Sequence, residues 1–331
     1  MPQITMKLMK KIALICVILC MPLLVNAQNQ IPTLDDLDNE IAMSPQYDKK
    51  YEDVISSVKK ELRTAKTKEA RYDLSNKLFN LYTSYSVDSA IVYAIEKQNI
   101  AKQIGDRSKV NDAKLNLAYL LIRGGQLKDA SDIINSIPRK EISEELSFYY
   151  FSTRKTLYRT LAEAALTTSQ RNLYKQMEKN CNDSVVDNNA SPDSWSRAEQ
   201  LVNRHQYEQA KKILLDAYQH LKPGDRQTAF VSISLADIYG REKNVEAQKQ
   251  YLIAAAISDI RNSVKEYLAL QQLAVILFEE GDTKRAYAYM DQAMNDAVFC
   301  NARQRTIAMA DVWPAIEKSH ERETKSRTLR L

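Results

Sequence analysis

The chain has 331 residues, with 47 Lys plus Arg against 42 Asp plus Glu and a formal net charge of +5. Average usage would give about 23 glycines and about 17 prolines in a chain this long, whereas 6 and 8 are present, which excludes a many-stranded barrel, a sandwich or a collagen-like chain and leaves helix. The six glycines (Gly105, Gly124, Gly125, Gly224, Gly240, Gly281) are too scattered to spell GxGxxG or GxxxxGK[ST], so neither phosphate cradle is present.

Residues 1–27 carry Lys7, Lys10 and Lys11 and no acid, followed by an apolar run from Ile12 to Val25 and then Asn26-Ala27. A basic start, a short apolar stretch and a small residue at the cleavage position spell a secretory signal peptide, and the run is short for a membrane span. The expectation is an exported, periplasmic protein cleaved near Ala27, with a retained anchor as the alternative. Met1, Met6 and Met9 all stay open as the first residue. Neither Cys16 nor Cys20 follows the small residue that a lipoprotein site requires, so no lipid anchor is expected.

Cleavage takes the formal charge from +5 to +2, and Lys325, Arg327 and Arg330 hold another +3, leaving residues 28–324 at −1. That body lacks the basic stripe of a nucleic-acid binder, so no direct nucleic-acid contact is expected. Cleavage also leaves Cys181 and Cys300, which are either paired in an oxidising compartment or buried separately in helices.

Residues 28–66 read as a leader and an N-terminal capping helix. Pro32 and the acidic cluster Asp35, Asp36, Asp38 and Glu40 give 28–44 the look of a loosely held leader, and Tyr47, Tyr51, Val54, Ile55 and Val58 then have helical spacing.

An internal repeat follows. Leu117-Ala118, Leu121, Gly125, Ala130, Ile134 and Ile137 recur at the same spacing as Leu273-Ala274, Leu277, Gly281, Ala286, Met290 and Ala293. Eight residues from leucine to glycine and five from glycine to alanine describe one helix, a tight turn and a second helix, with the alanine where the two cross closely. The frame also finds Ala198, Leu201, Tyr207, Ala210, Leu214 and Ala217, then Leu235-Ala236, Tyr239, Ala247, Tyr251 and Ala254, and Leu78-Phe79, Tyr82 and Ala90. The crossing residues fall at 90, 130, 210, 247 and 286, and the gap of 80 predicts a degenerate repeat near Gln170 carried by Leu157-Tyr158, Leu161, Tyr174 and Met177. Repeats 1–3 then occupy 67–185 and repeats 4–6 occupy 193–300, joined by a loop-like run at 186–192 that is either an ordinary inter-repeat connection or a hinge.

These spacings resemble the tetratricopeptide repeat (TPR), with a longer period of 37 to 40 residues and no Trp at the signature position. The resemblance implies an all-α, right-handed superhelical solenoid of about six helical hairpins with a capping helix at each end, stable only as a stack. It also implies a concave face built from first-helix positions, which map to Tyr119, Ile122, Trp195, Glu199, Asn203, Asp237 and Val275. A groove with aromatic anchors and a few polar groups suits an extended peptide or a partner helix.

Catalysis finds little support in the sequence. The three histidines are His205 in a turn slot equivalent to Gly125 and Gly281, His220 in a last helical turn, and His320, and neither HExxH nor GxSxG occurs. No catalytic residue, metal ligand or cofactor is expected. Tyrosine is over-represented, at 18 of 26 aromatics. Tyr82, Tyr174, Tyr239 and Tyr251 fit groove positions where the ring packs and the hydroxyl reaches water.

Residues 301–331 form a last amphipathic helix with an expected bend at Trp313-Pro314. Asn301-Ala302-Arg303 and Pro314-Ala-Ile316-Glu-Lys318 resemble the juxtamembrane segment of bacterial membrane-anchored transcriptional regulators that carry a periplasmic TPR sensor. That resemblance implies a sensor portion, an inner-membrane attachment through a span beyond Leu331, and a cytoplasmic output. The alternative is a free periplasmic scaffold or adaptor for envelope assembly or self-association, for instance as a homodimer. N-terminal sequencing of the protein from fractionated cells is expected to start at Gln28 in the periplasmic fraction. A cytoplasmic product starting at Met1 or Met9 would refute export.

Overall fold

The computed structural model describes residues 32–187, 194–222, 224–265 and 268–328. The signal peptide at 1–27 and most of the 186–192 connection lie outside these. Among the described residues there are fifteen α-helices, one 3-10 turn at Arg139–Glu141, and no strand.

The N-terminal helix α1 spans Leu34–Thr64. Six antiparallel hairpins follow: α2 (Lys68–Tyr82) with α3 (Val87–Ile104), α4 (Arg107–Arg123) with α5 (Leu127–Asn135), and α6 (Glu144–Ala164) with α7 (Thr168–Asp187). The second half holds α8 (Ser194–Asn203) with α9 (Tyr207–His220), α10 (Arg226–Arg241) with α11 (Val245–Arg261), and α12 (Ala269–Glu279) with α13 (Thr283–Cys300). Helices α14 (Arg303–Ala310) and α15 (Trp313–Thr328) complete the chain. The expected all-α, TPR-like array of six hairpins is therefore present.

The hairpin turns are specified locally. After α4, the Gly125 amide donates to the Ile122 carbonyl and the Gln126 amide to Leu121, and the same pair of bonds recurs at His205 and Gln206, Lys243 and Asn244, and Gly281 and Asp282. This double closure needs a left-handed residue at its first position, and φ is +77° at Gly125, +59° at His205, +60° at Lys243 and +88° at Gly281. The slot assigned to His205 is thus a conformational one. Five residues after three of these left-handed positions, and in the same register of α3, stand the crossing alanines Ala90, Ala130, Ala210 and Ala286, each with no exposed surface. The third hairpin exists as predicted but has no such residue: Gln170 is exposed, in the first turn of α7.

Hairpins 1 to 3 share a buried polar chain. Lys97, 1% exposed, places Nζ 2.6 Å from both Asp112 Oδ2 and Asn76 Oδ1. Asp112 also accepts from the Tyr72 hydroxyl and the Asn116 amide, both at 3.2 Å, and Tyr149 donates to Asn116 Oδ1 at 3.1 Å. Burial holds the Lys97 ammonium below the ordinary lysine range, against the opposing pull of Asp112. Every member of the chain is hydrogen-bonded, the condition under which a buried ion pair is tolerated.

Two expectations are corrected. The acidic segment does not hang loose: Thr33 and Asp36 form a capping box, and from Leu34 onward it is the first part of α1. Leu37 is fully buried. Asp35 and Asp38 both pair with Arg285, Glu40 pairs with Arg261, and Asp48 lies 2.6 Å from Lys265. The Tyr289 hydroxyl donates to Asp38 Oδ1 at 2.6 Å. The opposite end of α1 buries Ile55 and Val58 in the same core as hairpin 1, so the helix reaches from the first repeat to the fifth and sixth. Further contacts complete the closure: the Lys265 amide donates to the Ser84 carbonyl at 2.7 Å, Asn301 donates to Asp88 at 2.9 Å, and the Tyr85 and Phe299 rings meet at 5.4 Å. The solenoid closes on itself.

The second correction concerns the C-terminal bend. The helix breaks at Asp311-Val312, and Pro314 is the second residue of α15, where its missing N–H costs no intrahelical bond. Cys181 and Cys300 are both buried and are not joined by a disulfide. No described helix is long and apolar enough to cross a membrane.

A Cβ on Gly281 would meet nothing within 4 Å, so Gly281→Ala is expected to cost about 1–2 kcal/mol from left-handed strain alone, read as a lower urea midpoint at unchanged slope, with Gly281→Asn costing less. Lys265, 4% exposed at its side chain, also lies 3.2 Å from Asp296, so Lys265→Met strips a buried pair and is expected to cost about 3–5 kcal/mol and to expand the molecule in small-angle scattering. In the unmodified protein the hydrogen bond from Arg261 holds Glu40 below its ordinary value of 4.5. The Glu40–Arg261 contact therefore contributes fully above that pH, and its share of the stability is lost as acid carries the solution through the lower folded-state value. Unchanged dimensions in Lys265→Met would refute the closure.

Candidate functional site

Closure places the segment after α13 against the turn edges of hairpins 2 and 3. Between them lies a cavity of ≈ 730 Å³, within the size range of small-ligand sites. Its walls come from the end of α4 (Tyr119, Ile122, Arg123), one face of α6, and residues 302–308. The α6 contribution, Thr156, Arg159, Thr160 and Glu163, follows i, i+3, i+4, i+7 spacing, which puts all four on one side of the helix.

The polar groups of the cavity are held from outside it. Arg123 donates Nη1 to the Thr83 carbonyl at 2.7 Å and lies 5.4 Å from the Tyr119 ring centroid. Arg159 donates Nε to Glu178 at 2.9 Å. Thr156 and Thr160 direct their hydroxyl protons to the Ser152 and Thr156 carbonyls at 2.9 and 3.0 Å, leaving oxygen lone pairs and methyl groups for a ligand. Across the cavity, Ile307 is 64% exposed. Arg305 is half-buried and forms no ion pair or side-chain hydrogen bond with a described residue.

Of the seven concave-face candidates, Tyr119 and Ile122 meet at this cavity, although Ile122 is 1% exposed and packs chiefly in the core of hairpin 2. Trp195, Glu199 and Asn203 share one face of α8 but point at neighbouring helices. Trp195 donates Nε1 to Ser234 at 3.3 Å with its ring 5.3 Å from Phe230, and Asn203 Oδ1 accepts from Lys155 at 2.9 Å. Burial holds Lys155 below the ordinary lysine range, opposed by the Glu199 carboxylate. Asp237 is exposed and pairs with Arg241 at 3.0 Å, and Val275 is half-buried against the main core. The seven do not converge on one pocket. Arg159, Glu163 and Arg305 escaped sequence reasoning; the only signal was the polar i, i+3, i+4, i+7 face of α6.

No group of three or more His, Cys, Asp or Glu suited to a metal occurs among the described residues. His205 accompanies Tyr207 in its turn, His220 is exposed near Asp216, and His320 stacks on Tyr287 at 4.1 Å. A family model described as the SusR N-terminal TPR domain matches residues 41–311, which takes in all six hairpins and most of α1. No curated protein matches the chain.

Proposed function

The chain belongs to the SusR N-terminal TPR domain family, and from that footing we propose that it is the exported sensor portion of a membrane-anchored transcriptional regulator. TPR domains are protein-interaction modules, and this one is of the SusR type. In the proposed role the array is not catalytic. It binds a peptide or protein segment on its concave side and passes the event along its C-terminal helices toward the membrane.

The observation that carries the reading is the shared wall of the cavity. One side is the repeat array and the other is α14 itself, with Ala302 just before it, which runs on to α15, so whatever occupies the space touches both the recognition array and the route out of it. The signal-peptide pattern at 1–27 agrees with a chain that is exported.

The test uses cells carrying the gene as it stands on the chromosome. Deleting it should change transcription of a small, defined gene set. Ile307→Asp, at an exposed cavity position whose substitution should alter stability by no more than about 0.5 kcal/mol, should reproduce the deletion. Envelope defects with unchanged transcription would instead support the free periplasmic adaptor and overturn the sensor reading.

A further inference from the structure

Three guanidinium groups, Arg123, Arg159 and Arg305, line the cavity together with one carboxylate, Glu163. Arg159 is ion-paired with Glu178 at 2.9 Å and Arg123 donates to the Thr83 carbonyl. Arg305 makes no such side-chain contact among the described residues, yet it is half-buried. A cation drawn partly out of water without a counter-charge is unfavourable until an anion joins it. Beside these charges stand the half-buried ring of Tyr119 and the exposed side chain of Ile307.

We propose that the cavity is a carboxylate-binding site, in which Arg305 from the C-terminal segment and Arg159 from α6 grip the carboxylate of a ligand whose apolar body lies between Tyr119 and Ile307. A guanidinium offers two parallel N–H donors that match a carboxylate edge to edge, which a lysine cannot reproduce. The two arginines come from positions 159 and 305, so a bound carboxylate bridges the array and the C-terminal segment and favours their closed arrangement in proportion to its preference for that state. The same chemistry is offered by a small organic acid and by the free C-terminus of a peptide with an apolar last residue. The inference rests on the cavity being the ligand site of the proposed sensor and names the group it recognises.

The purified protein is titrated with four probes: 3-phenylpropanoate, its amide, the tetrapeptide Ala-Ala-Ala-Phe with a free C-terminus, and the same peptide amidated. Binding is followed by calorimetry and by the fluorescence of Trp313, which stacks on Tyr287 just beyond the segment, in a Trp195→Phe background. At least one free acid is expected to bind at least tenfold more tightly than its amide and to weaken with added salt. Arg305→Gln should lower that affinity tenfold or more with an unchanged helical melt, and Arg305→Lys should recover only part of it.

Preference for the phenylpropanoate identifies a small acid and preference for the free peptide identifies a chain terminus; either result supports the site. Equal binding of acids and amides, no binding at millimolar concentration, or full affinity in Arg305→Gln would overturn it. A normal transcriptional response from Arg305→Gln cells would do the same and leave the sensor reading standing.

Discussion

The shape of this molecule depends on one helix lying across the array. At 1.5 Å per residue, α1 is about 46 Å long, enough to be packed on the first hairpin at one end and on the fifth and sixth at the other. Its pairs with Arg285 and Arg261 are partly exposed and individually worth little. The contacts that bind are the buried ones: Leu37 with no exposed surface, and Lys265 sealed between Asp48 and Asp296. An open repeat array gains stability only from neighbour to neighbour. Contacts joining residues as far apart as Leu34 and Tyr289 add a term that exists only when every intervening repeat is formed, so the two ends of the chain stabilise all that lies between them.

Closure also creates the cavity. Neither α4 with α6 nor the segment 302–308 encloses anything alone. The curvature of the array and the width of the seam are therefore one variable. A ligand spanning the seam acts on that variable only through its different affinity for the closed and open arrangements. Arg305 stands on the seam without an ion pair to any described residue, so an anion gains such a preference from it, whereas a neutral ligand must obtain it from Tyr119 and Ile307.

The repeat was legible in the sequence because it is written in local terms. Leucine, glycine and alanine at fixed offsets describe a helix, a left-handed turn and a close crossing, and His205 could be placed in its slot by offset alone. What was not legible is whatever depends on partners far along the chain. Asp35, Asp38 and Glu40 look like a solvated leader until Arg285 and Arg261 are brought to them. Trp195, Glu199 and Asn203 sit on the expected helix, but a short α8 turns them toward α6 and α10. Tyr119 was found because it lies in a strong repeat. Arg159 belongs to the most degenerate repeat and Arg305 to a tail outside any repeat, so no frame pointed to either.

The surplus of tyrosine has a physical reason that the closure supplies. Some rings behave as groove residues should, with Tyr82 stacked on Tyr93 and Tyr239 on Tyr251. At the closure a different demand arises. An acidic helix must lie on an array whose neighbouring surface is apolar, and a phenylalanine there would leave carboxylates facing hydrocarbon. Tyrosine carries both characters. Tyr47 packs its ring and donates to Glu40, Tyr85 does the same for Glu52, and Tyr289, 1% exposed, does so for Asp38. Burial and the accepting carboxylate together push the Tyr85 and Tyr289 hydroxyls far above the ordinary phenol range, which keeps both as donors to their carboxylates.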